Sequence, residues 1–236
     1  MLVGEARAPD GMRLYAIGDV HGCNDKLAAV HAAIATDLAR RPPADHRIIH
    51  IGDYTDRGPD SAGVIERLAA MSARDPHVIC LRGNHDQKLL DFLTDPEEAA
   101  PAFFDFGGKA TLKSYGVNLR GQNYTGLARQ LAEKMPAGHR IFLENLPTSV
   151  RFSDYFFCHA GIRPGVPLSE QTPHDLTWIR EDFLWDGRDH GVVVIHGHTP
   201  TQEPEVRRNR INIDTGAVYG GALTCLALEG TDYRFL

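Results

Sequence analysis

Arg13-Leu14-Tyr15-Ala16-Ile17-Gly18-Asp19-Val20-His21-Gly22 joins a short apolar run to a loop that holds an Asp and a His between two glycines. The same arrangement recurs at 47–58, which ends in GDYTDRG, and at 77–86, which ends in GNHD. A segment with the apolar spacing of a helix follows each loop. Strand, loop and helix repeated in this way predict an α/β fold, with a layered β-sheet core flanked by helices.

The rest of the chain extends this pattern, and a single domain over residues 1–236 is expected. The predicted strands of the first units are 13–17, 47–51 and 77–81, and the predicted helices are 24–40, 60–74 and one that starts at 87. Residues 95–147 interrupt the rhythm with several prolines, which predicts a small helical insertion containing a helix at 126–135. Further strands are predicted at 150–158, 192–196, 210–214, 223–228 and 233–236.

Composition excludes several classes of partner. The net charge of -6 argues against a nucleic-acid surface and against binding to an anionic membrane. No apolar run approaches the roughly 18 residues of a membrane span, and the first residues lack the apolar region of a signal peptide. The four cysteines show no C-x-x-C spacing, which favours reduced, structural thiols over a zinc ribbon. A cytoplasmic location is therefore expected.

The polar loops predict a metal site. One such loop alone is usually a polar turn, but several of matching chemistry favour a shared site. Ligands that follow strands of an open α/β sheet meet at one rim. The candidate ligands are Asp19, His21, Asp53, Asn84, His159 and His198. A set of oxygen and nitrogen ligands without thiolates suits Mn²⁺, Fe or Zn²⁺, and Asp53, on the central loop, is the natural bridge between two ions.

These motifs closely resemble those of a known family. GDVHG, GDYTDRG, GNHD, His159-Ala160-Gly161 and Gly197-His198-Thr199 are similar to the phosphoprotein phosphatase family of the calcineurin-like metallophosphoesterases. The resemblance covers about residues 13–228, and Trp178-Ile179-Arg180 looks like the bacterial and phage branch. It implies the calcineurin-like fold and two divalent metal ions, with Mn²⁺ expected and Fe or Zn as alternatives.

The resemblance also implies a role for each site residue. The first metal would be held by Asp19, His21 and Asp53, and the second by Asp53, Asn84, His159 and His198. His85 would be the general acid, and Asp56 would orient its imidazole. The phosphoryl oxygens would be bound by Arg57, Arg180 and Arg82, although Arg82 is equally consistent with a salt bridge at the rim.

The first functional hypothesis is a serine/threonine protein phosphatase, in which metal-bound hydroxide attacks the phosphorus of a phosphorylated protein or peptide directly. The alternative is a symmetrical bis(5'-nucleosyl)-tetraphosphatase, which hydrolyses the phosphoanhydride of diadenosine tetraphosphate and related dinucleoside polyphosphates. A third hypothesis, a non-catalytic metal-binding scaffold, predicts a missing ligand or acid, and none is missing. No obligate regulatory subunit is inferred, because the chain lacks the Tyr- and Cys-containing loop on which regulators act in eukaryotic members.

The insertion at 95–147 favours the phosphoprotein hypothesis over the dinucleotide. It mixes acidic and basic residues and has no basic cluster that would hold a polyphosphate. Its aromatic residues are expected to pack in the core instead of stacking on adenine, and they are Phe103, Phe104, Phe106, Tyr115 and Tyr124.

Overall fold

Two five-stranded sheets pack face to face at the centre of the computed structural model, which describes residues 1–236. The first sheet has the strand order β10-β9-β1-β2-β3. Its strands are β1 (Met12–Ile17), β2 (Asp45–His50), β3 (Val78–Cys80), β9 (Cys225–Glu229) and β10 (Asp232–Phe235). Strands β1, β2 and β3 run parallel, so the loops that follow them leave the sheet at the same edge.

The second sheet has the order β4-β5-β6-β8-β7. Its strands are β4 (Ser149–Phe152), β5 (Tyr155–Cys158), β6 (Val193–His196), β7 (Glu205–Val206) and β8 (Arg210–Asn212). The single strand predicted at 150–158 is instead the hairpin β4–β5. Ser153 turns the chain there, because its φ of 51° lies in the left-handed region and ends the extended conformation.

The interior between the sheets is apolar and comes from alternate residues of each strand. On β1 the inward side chains are Leu14 and Ala16, whereas Tyr15 and Ile17 pack under the helices on the outer face. The facing sheet contributes Phe157, Ile195 and Ile211, among others. Both faces of the first sheet are therefore buried, and its central strands are apolar on both sides.

Helices cover the outer faces of both sheets. Those after the first three strands are α1 (Asn24–Arg40), α2 (Ser61–Arg74) and α3 (Asn84–Thr94). The predicted helical insertion forms α4 (Pro96–Asp105), α5 (Gly108–Ser114), α6 (Tyr124–Lys134) and α7 (Ala137–Glu144). The later helices are α8 (Pro173–Trp178), α9 (Glu181–Leu184) and two short 3₁₀ turns, Leu168–Glu170 and Ala217–Tyr219.

The insertion packs closely against the helices of the main pattern. Phe103 of α4 stacks on Phe92 of α3 with ring centroids 4.5 Å apart. Phe103 and Tyr115 are buried, as expected for core residues, whereas Tyr124 is exposed and the expectation of a core position is wrong for it. The four cysteines are free thiols and all are buried. No helix has the length and apolar character needed to cross a bilayer.

A buried ionic cluster joins α1 to the first sheet. Asp37 of α1 accepts hydrogen bonds from Arg13 Nη1 at 3.0 Å and from the Tyr15 hydroxyl at 2.6 Å, and Arg41 and Arg234 also pair with it. Burial opposes the charge of this carboxylate, but the hydrogen bonds and the surrounding guanidinium groups lower the pKa of Asp37 to about 2.

We expect Asp37→Asn to lower the free energy of unfolding by about 2 kcal/mol at neutral pH, because the amide replaces a charged acceptor of buried hydrogen bonds and leaves the Arg13 guanidinium with Glu229 as its remaining counter-charge. The unfolded carboxyl protonates near pH 4 and the folded one only near 2. The stabilisation is therefore complete above pH 4 and is lost as the pH falls towards 2.

Urea unfolding of both proteins between pH 7 and pH 3 measures this difference. Glu144→Gln is the control, because it breaks the exposed pair between Arg140 and Glu144 and should change stability by less than about 0.5 kcal/mol. Equal losses of unfolding free energy in the two variants would contradict a stabilising role for the charge of Asp37. A loss for Asp37→Asn that does not vary with pH would also contradict it.

Candidate active site

The predicted site residues lie on loops with unusual backbone geometry. Six residues other than glycine have positive φ angles, and five of them belong to these loops: His21, Asp53, Asp56, Arg57 and His198. This left-handed region is unfavourable for residues other than glycine, although Asp, Asn and His adopt it more often than most. Such strain concentrates at functional sites, where the surrounding structure holds it in place.

Glycines let these loops approach one another. A Cβ atom on Gly83 would lie 2.1 Å from Asp53 Oδ1, and one on Gly52 would lie 2.5 Å from the Gly83 nitrogen. A Cβ on Gly197 would likewise lie 2.1 Å from Asp19 Oδ1. Any side chain at these positions would push the loops apart, so the glycines of the motifs are required by contact between loops.

Asp53 lies at the centre of the site, and its two oxygens face different imidazoles. Oδ2 is 3.4 Å from His21 Nε2 and 3.8 Å from His85 Nε2. Oδ1 is 3.4 Å from His159 Nε2. The carboxylate therefore has one oxygen available to each of two neighbouring groups of ligands, as a bridging residue requires.

The second group contains Asn84, His159 and His198. Asn84 Oδ1 is 2.9 Å from His159 Nε2 and 3.0 Å from His198 Nδ1. His159 Nδ1 donates to the carbonyl of Ile51 at 3.1 Å, so Nε2 of the neutral ring carries a lone pair. Two acceptors at 2.9 Å repel each other, and a cation ligated by both would remove that repulsion.

Unsatisfied atoms in the same place test whether metal ions fit. Asp19 Oδ1 and His198 Nε2 are buried and have no hydrogen-bond partner. Buried polar atoms normally have one. His21 Nδ1 donates to the carbonyl of Thr55 at 2.7 Å, which leaves Nε2 as the acceptor atom of the ring, and Arg57 Nη1 donates to it at 2.6 Å. These oxygen and nitrogen donors fit divalent cations.

The protonation states of the imidazoles support the same conclusion. Burial lowers the pKa of His21 to about 3 and that of His198 to about 2, and it also lowers the pKa of His159. All three rings are therefore neutral near pH 7, which is the form that binds metal. Burial, together with the charges of Asp214 and Asp53, raises the pKa of Asp19, and a bound cation would reverse this effect.

The imidazole of His85 is hydrogen-bonded to the carboxylate of Asp56. Its Nδ1 lies 2.7 Å from Asp56 Oδ2, and its backbone nitrogen donates to Asp53 Oδ1 at 3.0 Å. Both side chains are buried. The bond to Asp56 fixes the orientation of the ring, and Nε2 is left facing the same space as Asp53 Oδ2.

Sequence reasoning missed two residues of the insertion that support this pair. Thr111 of α5 donates its hydroxyl to Asp56 Oδ1 at 2.6 Å and accepts from the Asp56 nitrogen at 2.9 Å. Phe106 packs edge-on against His85 with ring centroids 5.4 Å apart, so this aromatic residue lies at the site and the prediction of a core position was wrong. A lone Thr in a helix gives no sequence signal. The insertion also approaches the site through its backbone, since the Gly107 carbonyl accepts from the Arg57 nitrogen at 3.3 Å.

Asp86 holds the central loop in position. Its Oδ2 accepts from the backbone nitrogens of Asp53 and Gly83, each at 2.9 Å, and its Oδ1 accepts from that of Tyr54 at 3.0 Å. The carboxyl group therefore caps α3 and fixes the backbone of Asp53 at the same time.

The three predicted phosphate-binding arginines differ in position. Arg57 donates from Nη1 to His21 Nε2 at 2.6 Å, and its guanidinium lies 5.7 Å from the ring centroid of Tyr219. Arg180 is exposed, and its charge lowers the pKa of both His159 and His198.

Arg82 is held elsewhere. Its Nη1 donates to Gln87 Oε1 at 2.9 Å, and its Nη2 donates to the carbonyls of Leu143 and Glu144 at 3.1 and 2.8 Å. The guanidinium therefore stabilises the C-terminal end of α7, and the expectation that Arg82 binds phosphate is corrected.

Curated relatives of similar length align with nearly the whole chain. A protein of Oceanobacillus iheyensis is 27% identical, over 95% of this chain and 89% of its own length. One of Halalkalibacterium halodurans is 28% identical, over 94% of this chain and 92% of its own. Both relatives are named asymmetrical bis(5'-nucleosyl)-tetraphosphatase PrpE.

Solved structures share the fold at lower identity. A protein assigned provisionally as a diadenosine tetraphosphatase superposes with a TM-score of 0.68 at 22% identity, over 98% of this chain and 97% of its own. A serine/threonine phosphatase of Saccharomyces cerevisiae gives a TM-score of 0.59 at 13% identity, over 92% of this chain and 72% of its own.

The sequence model of the calcineurin-like phosphoesterases matches residues 12–224, which include every loop of the site. The protein belongs to the calcineurin-like phosphoesterase family and is a metallophosphoesterase.

Proposed function

We propose that the protein hydrolyses dinucleoside tetraphosphates, and that it cleaves them asymmetrically. The observation that carries this proposal is the exposed ring of Tyr219, which lies beside Arg57. The ring is 66% exposed, so one face of it is open to a planar partner next to a phosphate-binding guanidinium. Exposed aromatic rings beside cationic groups bind nucleobases by stacking.

The backbone around Tyr219 supports such a role. The ring projects from the 3₁₀ turn Ala217–Tyr219, and the Lys26 ammonium donates to the carbonyls of Ala217 and Gly221 at 2.7 and 2.6 Å. Lys26 thus joins the turn to α1, and the backbone that carries the exposed ring is held in place. The names of the curated relatives, which align with nearly the whole length of the chain, support the same class of substrate.

We propose two divalent cations at the site, with Asp53 as their shared ligand. The first would be held by Asp19, His21 and Asp53, and the second by Asp53, Asn84, His159 and His198. Mn²⁺ is the expected ion, and Fe or Zn²⁺ also suits these oxygen and nitrogen ligands. When bound, such ions neutralise phosphoryl oxygens and lower the pKa of a water molecule.

The residues of the chain bind and orient the substrate and supply the proton. Arg57 and Arg180 bind the attacked phosphoryl group through their guanidinium forks. His85 donates a proton from Nε2 to the leaving oxygen, while Asp56 holds its Nδ1 and Thr111 holds Asp56. In asymmetric cleavage, water attacks an outer phosphorus of the tetraphosphate bridge, and the bond from that phosphorus to the anhydride oxygen breaks. The products are a nucleoside monophosphate and a nucleoside triphosphate.

The second candidate is the serine/threonine protein phosphatase of the first hypothesis. It is favoured by the two arginines of the site, which together suffice for a single phosphoryl group. Its substrate would present one phosphate and would need neither the Tyr219 ring nor further cations.

A substrate panel distinguishes the two candidates. With Mn²⁺ present, we expect kcat/KM for diadenosine tetraphosphate to exceed that for a phosphoserine peptide by more than tenfold, or about 1.4 kcal/mol of transition-state stabilisation. Chromatography should show AMP and ATP in equal amounts. Two molecules of ADP would contradict asymmetric cleavage, and a preference for the peptide would replace this proposal with the second candidate.

We expect Asp53→Asn to leave the protein folded but to reduce kcat/KM by at least about 10³, because an amide lacks the charge and second oxygen needed to bridge two cations. Asn tolerates the left-handed backbone, so the loop should persist. Metal analysis after gel filtration should find less than one ion per chain. Asp10→Asn, at an exposed position, is the control, and two tightly held ions in Asp53→Asn would contradict the bridging role.

We expect His85→Asn to reduce kcat by about 10²–10⁴ for a phosphoserine or alkyl phosphate ester, whose alkoxide leaving group needs a proton. The loss should be smaller for p-nitrophenyl phosphate and for the anhydride, because nitrophenolate and polyphosphate leave without full protonation. His77→Asn, at the opposite end of β3, is the control. Equal losses for all substrates would argue against proton donation by His85.

A further inference from the structure

Lys88 is a cation at the rim of the site that has no acidic partner. It lies on α3 three residues after His85, so both side chains emerge on the same face of the helix. It takes part in no ion pair and no hydrogen bond. Its Nζ instead lies 4.8 Å from the ring centroid of Phe106 and 4.7 Å from that of Trp178.

The two rings tie this ammonium to the catalytic residues. Phe106 contacts His85, with ring centroids 5.4 Å apart, and Trp178 contacts His198 at 6.0 Å. Lys88 therefore lies between the proposed proton donor and a proposed metal ligand. Cation–π contacts hold the ammonium in place without neutralising it, and its three N–H donors stay available.

The other groups near the attacked phosphorus already have roles. Arg57 and Arg180 serve the attacked phosphoryl group, and the Lys26 ammonium is used by backbone carbonyls. Lys88 has no such role, and it lies on the side where His85 would face the leaving oxygen. That oxygen belongs to the next phosphate in a polyphosphate, and to a neutral side chain in a phosphoserine.

We propose that Lys88, Phe106 and Trp178 form a subsite for the second phosphate of a polyphosphate chain, the one that leaves. This inference rests on the proposed function and adds the residue that selects a polyphosphate over a monoester. An ammonium suits this task, because it is a compact charge that binds phosphate oxygens from many directions. The rings exclude water around it and so strengthen its attraction to an anion.

The test compares Lys88→Met with wild type on two substrates. We expect kcat/KM for diadenosine tetraphosphate to fall by about 10–100-fold, the size of one charge-assisted hydrogen bond. The value for p-nitrophenyl phosphate, which has no second phosphate, should stay within threefold. Lys88→Arg should restore most of the loss, because it keeps the charge.

Lys109→Met is the matched control. Lys109 also lies over a ring, 5.8 Å from the centroid of Phe104, but it is exposed on the insertion. This variant should behave as wild type on both substrates. Equal losses on both substrates in Lys88→Met would mean a general structural role and would overturn the proposal, as would no loss on the dinucleotide.

A binding measurement separates this inference from the proposed function. Tripolyphosphate and orthophosphate are used as inhibitors of p-nitrophenyl phosphate hydrolysis, with Mn²⁺ in excess over both. Lys88→Met should raise the inhibition constant of tripolyphosphate by at least tenfold and leave that of orthophosphate unchanged. An unchanged ratio of the two inhibition constants would overturn the proposed subsite. If wild type does not cleave the dinucleotide, the proposed function fails and this ratio still decides the role of Lys88. Lys88→Gln replaces the Met variant if that does not fold.

Discussion

The charged carboxylate of Asp53 is buried among imidazoles, and most of the local structure follows from that constraint. Burial alone would raise its pKa, but the surrounding histidines lower the pKa below its ordinary value, so the group stays ionised although it is buried. Its position depends on backbone bonds to Asp86 and on the absence of a side chain at Gly83. The site also depends on the parallel strands β1, β2 and β3, because their carboxyl ends bring three loops to one place.

The insertion contacts the proposed catalytic residues and also packs against the core. Thr111 binds Asp56, the carbonyl of Gly107 binds the backbone of Arg57, and Phe106 lies between His85 and Lys88. A segment that interrupts the repeating pattern thus positions the proposed acid and forms one wall of the proposed polyphosphate subsite. Its movement or loss would affect proton transfer and substrate choice together.

The sequence predicted the parts of the molecule that repeat, and it missed those that depend on contacts between distant segments. Helix α1 has the predicted bounds, and the candidate ligand residues meet because the ends of the strands determine where the loops lie. The pairing of two sheets was not predicted, since a strand buried on both faces has the same apolar pattern in one sheet or in two. The tight turn at Ser153, the α7 carbonyls that hold Arg82 and the hydroxyl of Thr111 are set by tertiary neighbours. The expected preference for a phosphoprotein rested on the mixed charges of the insertion and on its aromatic residues packing in the core, and Phe106 packs against His85 instead.

The left-handed backbone of the site loops also limits how the protein can change over time. If Asp53 and His198 hold metal as proposed, a residue at either position must provide a ligand atom and also tolerate a φ that disfavours most side chains. Glu or Cys could offer ligand atoms, but both rarely adopt the left-handed backbone conformation. Drift at these positions is therefore confined to Asp, Asn, His and Gly, of which Gly offers no ligand atom. A new metal preference would have to arise from the residues around the ligands, with the ligands themselves kept.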